Sequence, residues 1–495
     1  MRSRTNGTRS VARLLGWSFA VVGLSATLVT ASGDAFAGNV DTSDEVARFM
    51  QQLDESGYVW QSGSEDILDG NQRYCEGAIF SAMWANPQSR YVISKLPAPG
   101  QPPNSPLPLT WRLREDEAVV LIGRTPPPVA YFSFELWKVK GSWDSGPLLI
   151  ISVGDPINVG TMRTTGPTAF DRPFAIVLTG HRRTQAEVNR MLAASGLGGA
   201  TNNIPIPRAM FRLGLDQDSD EFLLPSRTAV PETGYEQALK NYLDNPPVQV
   251  FRVRPTGNSK DETKPVYAPD PLPVPGLRVS GTGTTELNSN PTLQLLRQRI
   301  VDTYPGYAAQ DVPLERGFEE PYPGLQLNLV IAPPIEGAGG YTYDAIYLTS
   351  GDFNLPDGSF LVSYGVNHVV TGKAVYASAS LYADEHATVY MASKEHTDLW
   401  GSARDFIADQ PNADEFYAWA FSRAGGSGPV GVHVTTLDPT DPTGTKYCST
   451  YYGTTRGVDM STISVVNRIY MDPATKTRPA LSELLLDRLL LFTPK

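Results

Sequence analysis

A strand-helix-strand segment occurs twice in this chain, once at the end of the first half and once at the C-terminal end. Arg227 matches Arg468 and Phe251 matches Phe492, and the members of both pairs lie 241 positions apart. Repetition at a fixed spacing indicates an internal duplication. The sequence therefore predicts two tandem copies of one folding unit.

The predicted fold class is α+β. Each unit is expected to be ferredoxin-like, with a leading hairpin added to the order β-α-β-β-α-β, and a small helical segment precedes the pair. By the same comparison, residues 360–365 are expected to correspond to residues 149–154. The closing elements predicted in the first unit are strand 174–179, helix 185–194, strands 207–213 and 222–230, helix 235–244 and strand 248–253.

The N-terminus has the pattern of a secretory signal peptide. Four arginines without an acid precede the apolar run 14–29, and Ala35-Phe36-Ala37 forms a small-residue cleavage site before Gly38. An uncleaved anchor is the alternative, but the run is short for a spanning helix. We expect a secreted or periplasmic protein without a membrane span after cleavage.

Composition, chiefly the positions of proline- and glycine-rich segments, divides the chain into five parts. A proline-rich connector ends the helical N-terminal segment, and a second segment rich in Pro, Gly, Thr and Asp separates the two units. The predicted boundaries are signal peptide 1–37, helical segment and connector 38–108, first α+β unit 109–255, linker with one helix 256–323, and second α+β unit 324–495 with an insertion at about 425–459.

Charge and cysteine content restrict the partners and the compartment. Removal of residues 1–37 takes the formal charge from −11 to −14, which argues against nucleic acid or anionic lipid as the main partner. Cys75 and Cys448 are the two cysteines of the chain, so an oxidising compartment allows one intramolecular disulfide. Two buried free thiols are the alternative.

The segment 364–373 packs polar side chains directly after an apolar strand. His368 is a candidate general base or metal ligand, with Asn367 orienting it and Lys373 contacting an anion beside Tyr364. The alternative is a histidine that satisfies loop carbonyls next to a solvated turn. In the first unit the corresponding polar residues are Asp155, a candidate catalytic residue, and Asn158, a candidate ligand-binding residue. If the units face each other, both segments line one cleft.

Other candidates are weaker. His181 and Arg182 precede a helix and are placed to bind a carboxylate or phosphate at its N-terminus, unless they form a basic surface turn. Arg163 is a further candidate for orienting a ligand. A calcium loop is suggested by Asp216, Asp218 and Asp220, although Glu221 stands where an EF-hand needs glycine, so an acidic hairpin turn is the alternative. The histidines lack the spacing of a zinc site, and we predict no metal centre.

Two segments, 126–133 and 365–374, resemble a pattern in secreted hypothetical proteins without an assigned activity. The resemblance implies no function. The residues themselves lead us to expect an exported protein that binds a small molecule or polymer in a cleft between the two units. The alternative is an extracellular hydrolase or lyase with His368 as general base. The sequence contains no G-x-S-x-G, H-E-x-x-H or P-loop motif, which favours binding.

Overall fold

The structure is a computed structural model. The residues that it describes are 42–79, 82, 86, 88–98, 101, 105–141, 148–257, 263–316, 339–340, 342–356, 358–383, 389–423, 434–437, 447–459 and 461–495. The predicted signal peptide, the cleavage site and about half of the predicted insertion lie outside the described residues. No helix among those described is long and apolar enough to cross a membrane.

The described part of the chain is a mixed α+β structure, as predicted. Its helices are α1 (Ser43–Glu55), α2 (Gly70–Cys75), α3 (Arg182–Ala194), α4 (Glu236–Asp244), α5 (Asn290–Thr303), α6 (His396–Leu399), α7 (Arg404–Ile407) and α8 (Tyr447–Tyr452). The long helices form where apolar residues recur at helical spacing. In α1, for example, Val46, Phe49 and Leu53 share one buried face. Among the described residues, short 3-10 helices lie at Gly198–Ala200, Leu287–Ser289, Ala413–Glu415 and Leu481–Glu483.

Strands make up most of the regular structure. In chain order they are β1 (Tyr58–Ser62), β2 (Ser64–Leu68), β3 (Ser89–Lys95), β4 (Ala118–Arg124), β5 (Val129–Phe134), β6 (Trp137–Gly141), β7 (Leu148–Ser152), β8 (Ile157–Asn158), β9 (Pro173–Thr179), β10 (Thr201–Pro205), β11 (Glu221–Pro231), β12 (Val248–Pro255), β13 (Tyr307–Val312), β14 (Glu315–Arg316), β15 (Gly339–Gly340), β16 (Ala345–Thr349), β17 (Phe353–Asn354), β18 (Phe360–Val366), β19 (Tyr376–Ala383), β20 (Val389–Glu395), β21 (Phe416–Arg423), β22 (Val434–Leu437), β23 (Thr462–Tyr470) and β24 (Arg488–Pro494).

The strands form four sheets, two from each half of the chain. Sheet 1 has the order β1-β12-β4-β9-β10, and sheet 3 has the order β13-β24-β18-β21-β22. In both, the last two strands are parallel and the others antiparallel. Sheet 2 centres on β11, which pairs with β3 on one side and with β5 and β6 on the other. Sheet 4 centres on β23 between β16 and β19.

The ferredoxin-like order appears along the chain but not in the sheets. Elements β9, α3, β10, β11, α4 and β12 follow one another as β-α-β-β-α-β. However, β11 belongs to sheet 2, whereas β9, β10 and β12 belong to sheet 1. The predicted strand over residues 207–213 is wrong, because turns occupy these positions and β10 lies just before them.

Sheets 2 and 4 contact each other through buried aromatic side chains. The rings of Tyr131 and Tyr470 meet edge to face with centroids 4.9 Å apart, and the ring of Tyr376 also packs against Tyr470, at 5.2 Å. Arg227 is buried in the same contact, with its guanidinium 2.9 Å from Glu135 and 3.6 Å from Asp344. The sequence predicts a cleft between the two units, but side chains fill this contact face.

A disulfide and a short strand also join the two halves. Cys75 at the end of α2 is bonded to Cys448 in α8, with Cα atoms 5.3 Å apart and 373 positions between them in the sequence. This confirms the predicted bridge. Strand β15, from the second half, pairs in parallel with β7 at the edge of sheet 2.

Candidate functional site

His368, the predicted general base, is buried and contacts carboxylates on both sides. It follows β18 and is 1% exposed. Its Nδ1 lies 3.0 Å from both carboxylate oxygens of Glu286, a residue of the predicted linker. Its Nε2 lies 3.5 Å from Oδ1 of Asp487, whose other oxygen accepts a hydrogen bond from Asn467. Both ring nitrogens therefore face acids of the protein itself.

The electrostatics of this group keep the imidazole protonated. Burial alone would lower the pKa of His368, but Glu286 and Asp487 outweigh it and raise the pKa to about 10. Burial would raise the pKa of Glu286, but His368, the Thr371 hydroxyl and a backbone N–H lower it below its usual value. An imidazolium has no lone pair with which to accept a proton. At neutral pH, His368 is thus a buried cation rather than a base.

The neighbours of His368 have structural contacts of their own. Asn367 donates from Nδ2 to the backbone oxygen of His396 at 2.9 Å. Tyr364 is buried in the apolar cluster that packs α5 against sheet 3, and burial raises the pKa of its phenol to about 12. Neither side chain is placed with His368 around an open volume large enough for a substrate.

Lys373 also holds the linker. Its Nζ donates to Thr282 at 2.9 Å and to Glu483 at 2.5 Å. Glu483 in turn accepts the backbone N–H groups of Thr282 and Gly283. The hydrogen bond from Lys373 is the largest cause that lowers the pKa of Glu483 to about 2. The anion that Lys373 binds is therefore Glu483, and together they fix the linker backbone.

In the first half, Asp155 holds the same linker. It follows β7 and accepts the backbone N–H of Arg278 at 2.6 Å, while the Arg278 guanidinium donates to the carbonyl of Pro156 at 2.6 Å. Burial raises the pKa of Asp155. Asn158 lies away from the linker and joins the two halves, donating to Asp344 at 3.3 Å and to the carbonyl of Lys476 at 3.0 Å.

The predicted anion site at the start of α3 is occupied by protein groups. The Nδ1 of His181 accepts the backbone N–H of Thr184 at 3.3 Å, so this side chain caps the helix. Its Nε2 lies 3.0 Å from the carbonyl of Ala268 in the linker. The backbone N–H of Arg182 donates to the carbonyl of Asp270 at 2.8 Å. Arg163 is exposed and is not brought to any of these groups.

The acids of the predicted calcium loop face basic side chains. Asp216 and Asp218 lie 3.5 and 3.6 Å from the guanidinium of Arg212, and Asp220 lies 2.7 Å from Lys138. Among the described residues, no group of three His, Cys, Asp or Glu side chains is arranged to hold a metal ion. The negative charge of the turn between β10 and β11 is therefore compensated by Arg212 and Lys138.

Five of the predicted site residues thus contact one segment, residues 263–289, which we call the linker segment. They are Asp155, His181, Arg182, His368 and Lys373. Sequence reasoning missed their partners, chiefly Arg278, Glu286, Glu483 and Asp487. The available signal is weak: Glu286 is an acid that immediately precedes a helical segment, in a linker otherwise rich in Pro, Gly and Thr.

Two cavities of very different size adjoin predicted site residues, the first His368 and the second Asp216. The cavity beside His368, Asp487 and His396 has a volume of about 10 Å³, enough for about one water molecule. The other has a volume of about 520 Å³ and opens along the turns between β10 and β11. It is lined by Glu115, Arg208, Ala209, Met210, Phe211, Arg212, Leu213 and Asp216.

No protein-family model matches the sequence, and a search of curated proteins finds no relative. Among solved structures, an uncharacterized protein from Burkholderia cenocepacia matches with 11% identity, 91% coverage of this chain, 86% of the other, and a TM-score of 0.35. A protein from Vibrio parahaemolyticus matches with 10% identity, 91% and 98% coverage, and the same TM-score. These likenesses are too distant to carry an argument about fold or function.

Proposed function

We propose that this chain is an exported binding protein whose ligand is a small molecule or a polymer segment. The observation that carries the proposal is the cavity of about 520 Å³ along residues 208–216, which we call the turn groove. Its volume lies in the range of about 300 to 1,000 Å³ that is usual for ligand sites. This ligand site lies on the surface of the first half, whereas the sequence predicts one between the two units.

The lining of the turn groove suits a polar ligand. Arg208 pairs with Glu115 at 2.5 Å, and Arg212 pairs with Asp216 at 3.5 Å. These side chains are partly exposed, so a ligand that carries charged groups can exchange partners with them at little desolvation cost. Phe211, which is buried, is the aromatic residue of the lining.

The chemistry of His368 favours binding over catalysis. A hydrolase or lyase that uses His368 as base needs a neutral imidazole next to an accessible substrate. His368 is instead protonated and buried, beside a cavity of about 10 Å³. Export is supported by the secretory pattern of residues 1–37 and by the Cys75–Cys448 disulfide, since disulfides persist in oxidising compartments.

A thermal-shift screen of the mature protein with sugars, oligosaccharides, amino acids and dicarboxylates tests this proposal. A hit should be lost in Arg212→Ala and retained in Arg163→Ala, which removes an exposed arginine outside the groove lining. If the Arg212→Ala variant binds the ligand as tightly as the wild type does, the turn groove is excluded as the binding site. A hydrolase panel run beside His368→Gln, at a temperature at which circular dichroism shows that the variant is still folded, tests the alternative: activity that the folded variant lacks would favour the enzyme.

We also infer that the two halves are copies of one unit. Arg227 and Arg468 each lie opposite a tyrosine on one neighbouring strand and a serine on the other. These partners are Tyr91 and Ser133 for Arg227, and Tyr347 and Ser378 for Arg468. Three positions after each arginine the backbone turns left-handed, with φ 56° at Val230 and 47° at Met471. A strained, non-glycine kink at the same spacing is hard to explain by chance. An experimental structure in which sheets 2 and 4 do not superpose with these arginines aligned would contradict the inference.

A further inference from the structure

The conformation of residues 271–279 is fixed by their prolines. Pro271, Pro273 and Pro275 lock their own φ angles, and Leu272 and Val274 each precede a proline, which disfavours helical backbone. The segment is therefore extended and close to a polyproline II helix. Apart from an isolated bridge between Pro271 and His181, it has no strand pairing in the described structure.

This extended segment is held firmly at both ends. The backbone N–H of Leu272 donates to the carbonyl of Gly180 at 3.1 Å, and its side chain is buried. At the other end, Arg278 is bound by Asp155 and Pro156, as described above. The residues between these contacts are thus displayed on a rigid support, and little conformational entropy remains to be lost when a partner binds.

The same segment exposes its large apolar side chains. Val274 is 41% exposed, Leu277 42% and Val279 83%, and all three lie within six positions. Isolated surface hydrophobes are normal in monomers. Here, however, five of the nine exposed large hydrophobes among the described residues lie on the linker segment, so this concentration needs an explanation. The other two of the five are Val266 and Leu287.

We propose that residues 271–279, the proline ridge, are a recognition segment for a partner domain with an aromatic-lined groove. Such grooves bind extended proline-rich segments, and they gain affinity from a ligand that is already in the polyproline II conformation. A polyproline II helix has three residues per turn, so Pro271, Val274 and Leu277 lie along one exposed face of the ridge and supply its contacts to the groove. This proposal does not depend on the turn groove.

The test uses the mature, disulfide-bonded protein and a panel of purified SH3 and WW domains as probes, with binding measured by interferometry. At least one domain should bind the wild type, and the double variant Val274→Asp and Leu277→Asp should weaken that binding by about tenfold or more. Val59→Asp, a change at a comparably exposed apolar residue on β1, should leave it unchanged. A synthetic peptide of residues 268–282 should bind the same domain more weakly, because it is not held in place.

Three results would overturn the proposal. The first is that no domain of the panel binds the wild type more tightly than it binds the ridge variant. The second is that the Val59 control loses binding to the same extent as the ridge variant. The third is that the wild type forms a dimer in sedimentation experiments that the ridge variant cannot form, which would make a second copy of the chain the occupant of the ridge. Equal melting temperatures of the variants and the wild type establish that none of them is unfolded.

Discussion

Glu286 holds both of its carboxylate oxygens 3.0 Å from Nδ1 of His368, a residue 82 positions further along the chain. The first belongs to the linker segment and the second to the turn after β18. Their contact is buried, charged and closed on its far side by Asp487. It shows how the polar residues that look like a catalytic site in the sequence serve to attach the linker segment to the second half.

Replacement of His368 by Gln should destabilise the protein strongly. The change leaves Glu286 and Asp487 buried without their cation, and breaking a buried ion pair from one side costs about 3 to 5 kcal/mol. Chemical denaturation at pH 7 measures the loss. His396→Gln is the matched control, because burial lowers the pKa of His396 to about 4 and the residue is neutral. Equal losses in the two variants would refute the charged pair.

The same contact predicts a pH dependence. The pKa of His368 is about 10 in the folded protein and close to 6.5 in an unfolded chain. Its contribution to the free energy of unfolding is therefore complete below pH 6.5 and is lost as the pH rises through 10. Unfolding titrations between pH 6 and 10.5 should show this decline in the wild type and a flatter profile in His368→Gln. Parallel profiles would mean that His368 is not protonated in the folded state.

Ionisation of Glu65 should destabilise the folded protein, unlike ionisation of a carboxylate that is paired with a cation. Burial raises its pKa from 4.5 to about 8, and its oxygen accepts the Ser94 hydroxyl at 2.7 Å. Since the folded pKa lies above the unfolded one, stability is lost as the pH rises from 4.5 through 8. Because the side chain keeps some contact with water, the Glu65→Gln substitution should raise the free energy of unfolding by only about 1 to 2 kcal/mol at pH 9. At pH 4 it should leave the free energy of unfolding unchanged. Glu55→Gln, on the exposed end of α1, should gain nothing at either pH.

The disulfide should contribute measurably to stability. Cys75 and Cys448 lie 373 positions apart, and removal of a native disulfide typically costs about 2 to 5 kcal/mol. The double variant Cys75→Ser and Cys448→Ser should melt at a lower temperature than the wild type. A reductant should lower the melting temperature of the wild type towards that of the variant and leave the variant unchanged. Titration of two reactive thiols in denatured, unreduced wild type would exclude the bridge.

The sequence predicted individual elements better than their partners. The predicted helical N-terminal segment contains α1, and the helix predicted over residues 185–194 is found as α3. The disulfide follows from having two cysteines in a chain with an export signal. In the proposed duplication, β18 corresponds to β4, because β18 pairs with β24 in the way that β4 pairs with β12. The sequence suggests residues 149–154 as the counterpart of residues 360–365 instead, since apolar runs of similar length look alike.

The candidate site illustrates the same limit. The polar turn after β18 and its buried histidine are visible in the sequence, because polar residues follow an apolar strand. What they bind is not visible, since Glu286 is brought to His368 only by the path of the linker. In the strand-helix-strand segment predicted at the C-terminal end, the helix is only the 3-10 turn Leu481–Glu483. There the backbone N–H of Leu485 donates to Glu286 at 3.0 Å and not to a carbonyl in its own turn.

Amide hydrogen exchange of the linker segment in the wild-type protein tests the central claim most directly. The N–H groups of Arg278, Thr282 and Gly283 donate to the carboxylates of Asp155 and Glu483, so they should exchange far more slowly than the same residues in a synthetic linker peptide. Exchange at the rate of the free peptide would mean that the linker segment is not held by these residues, and would contradict the account.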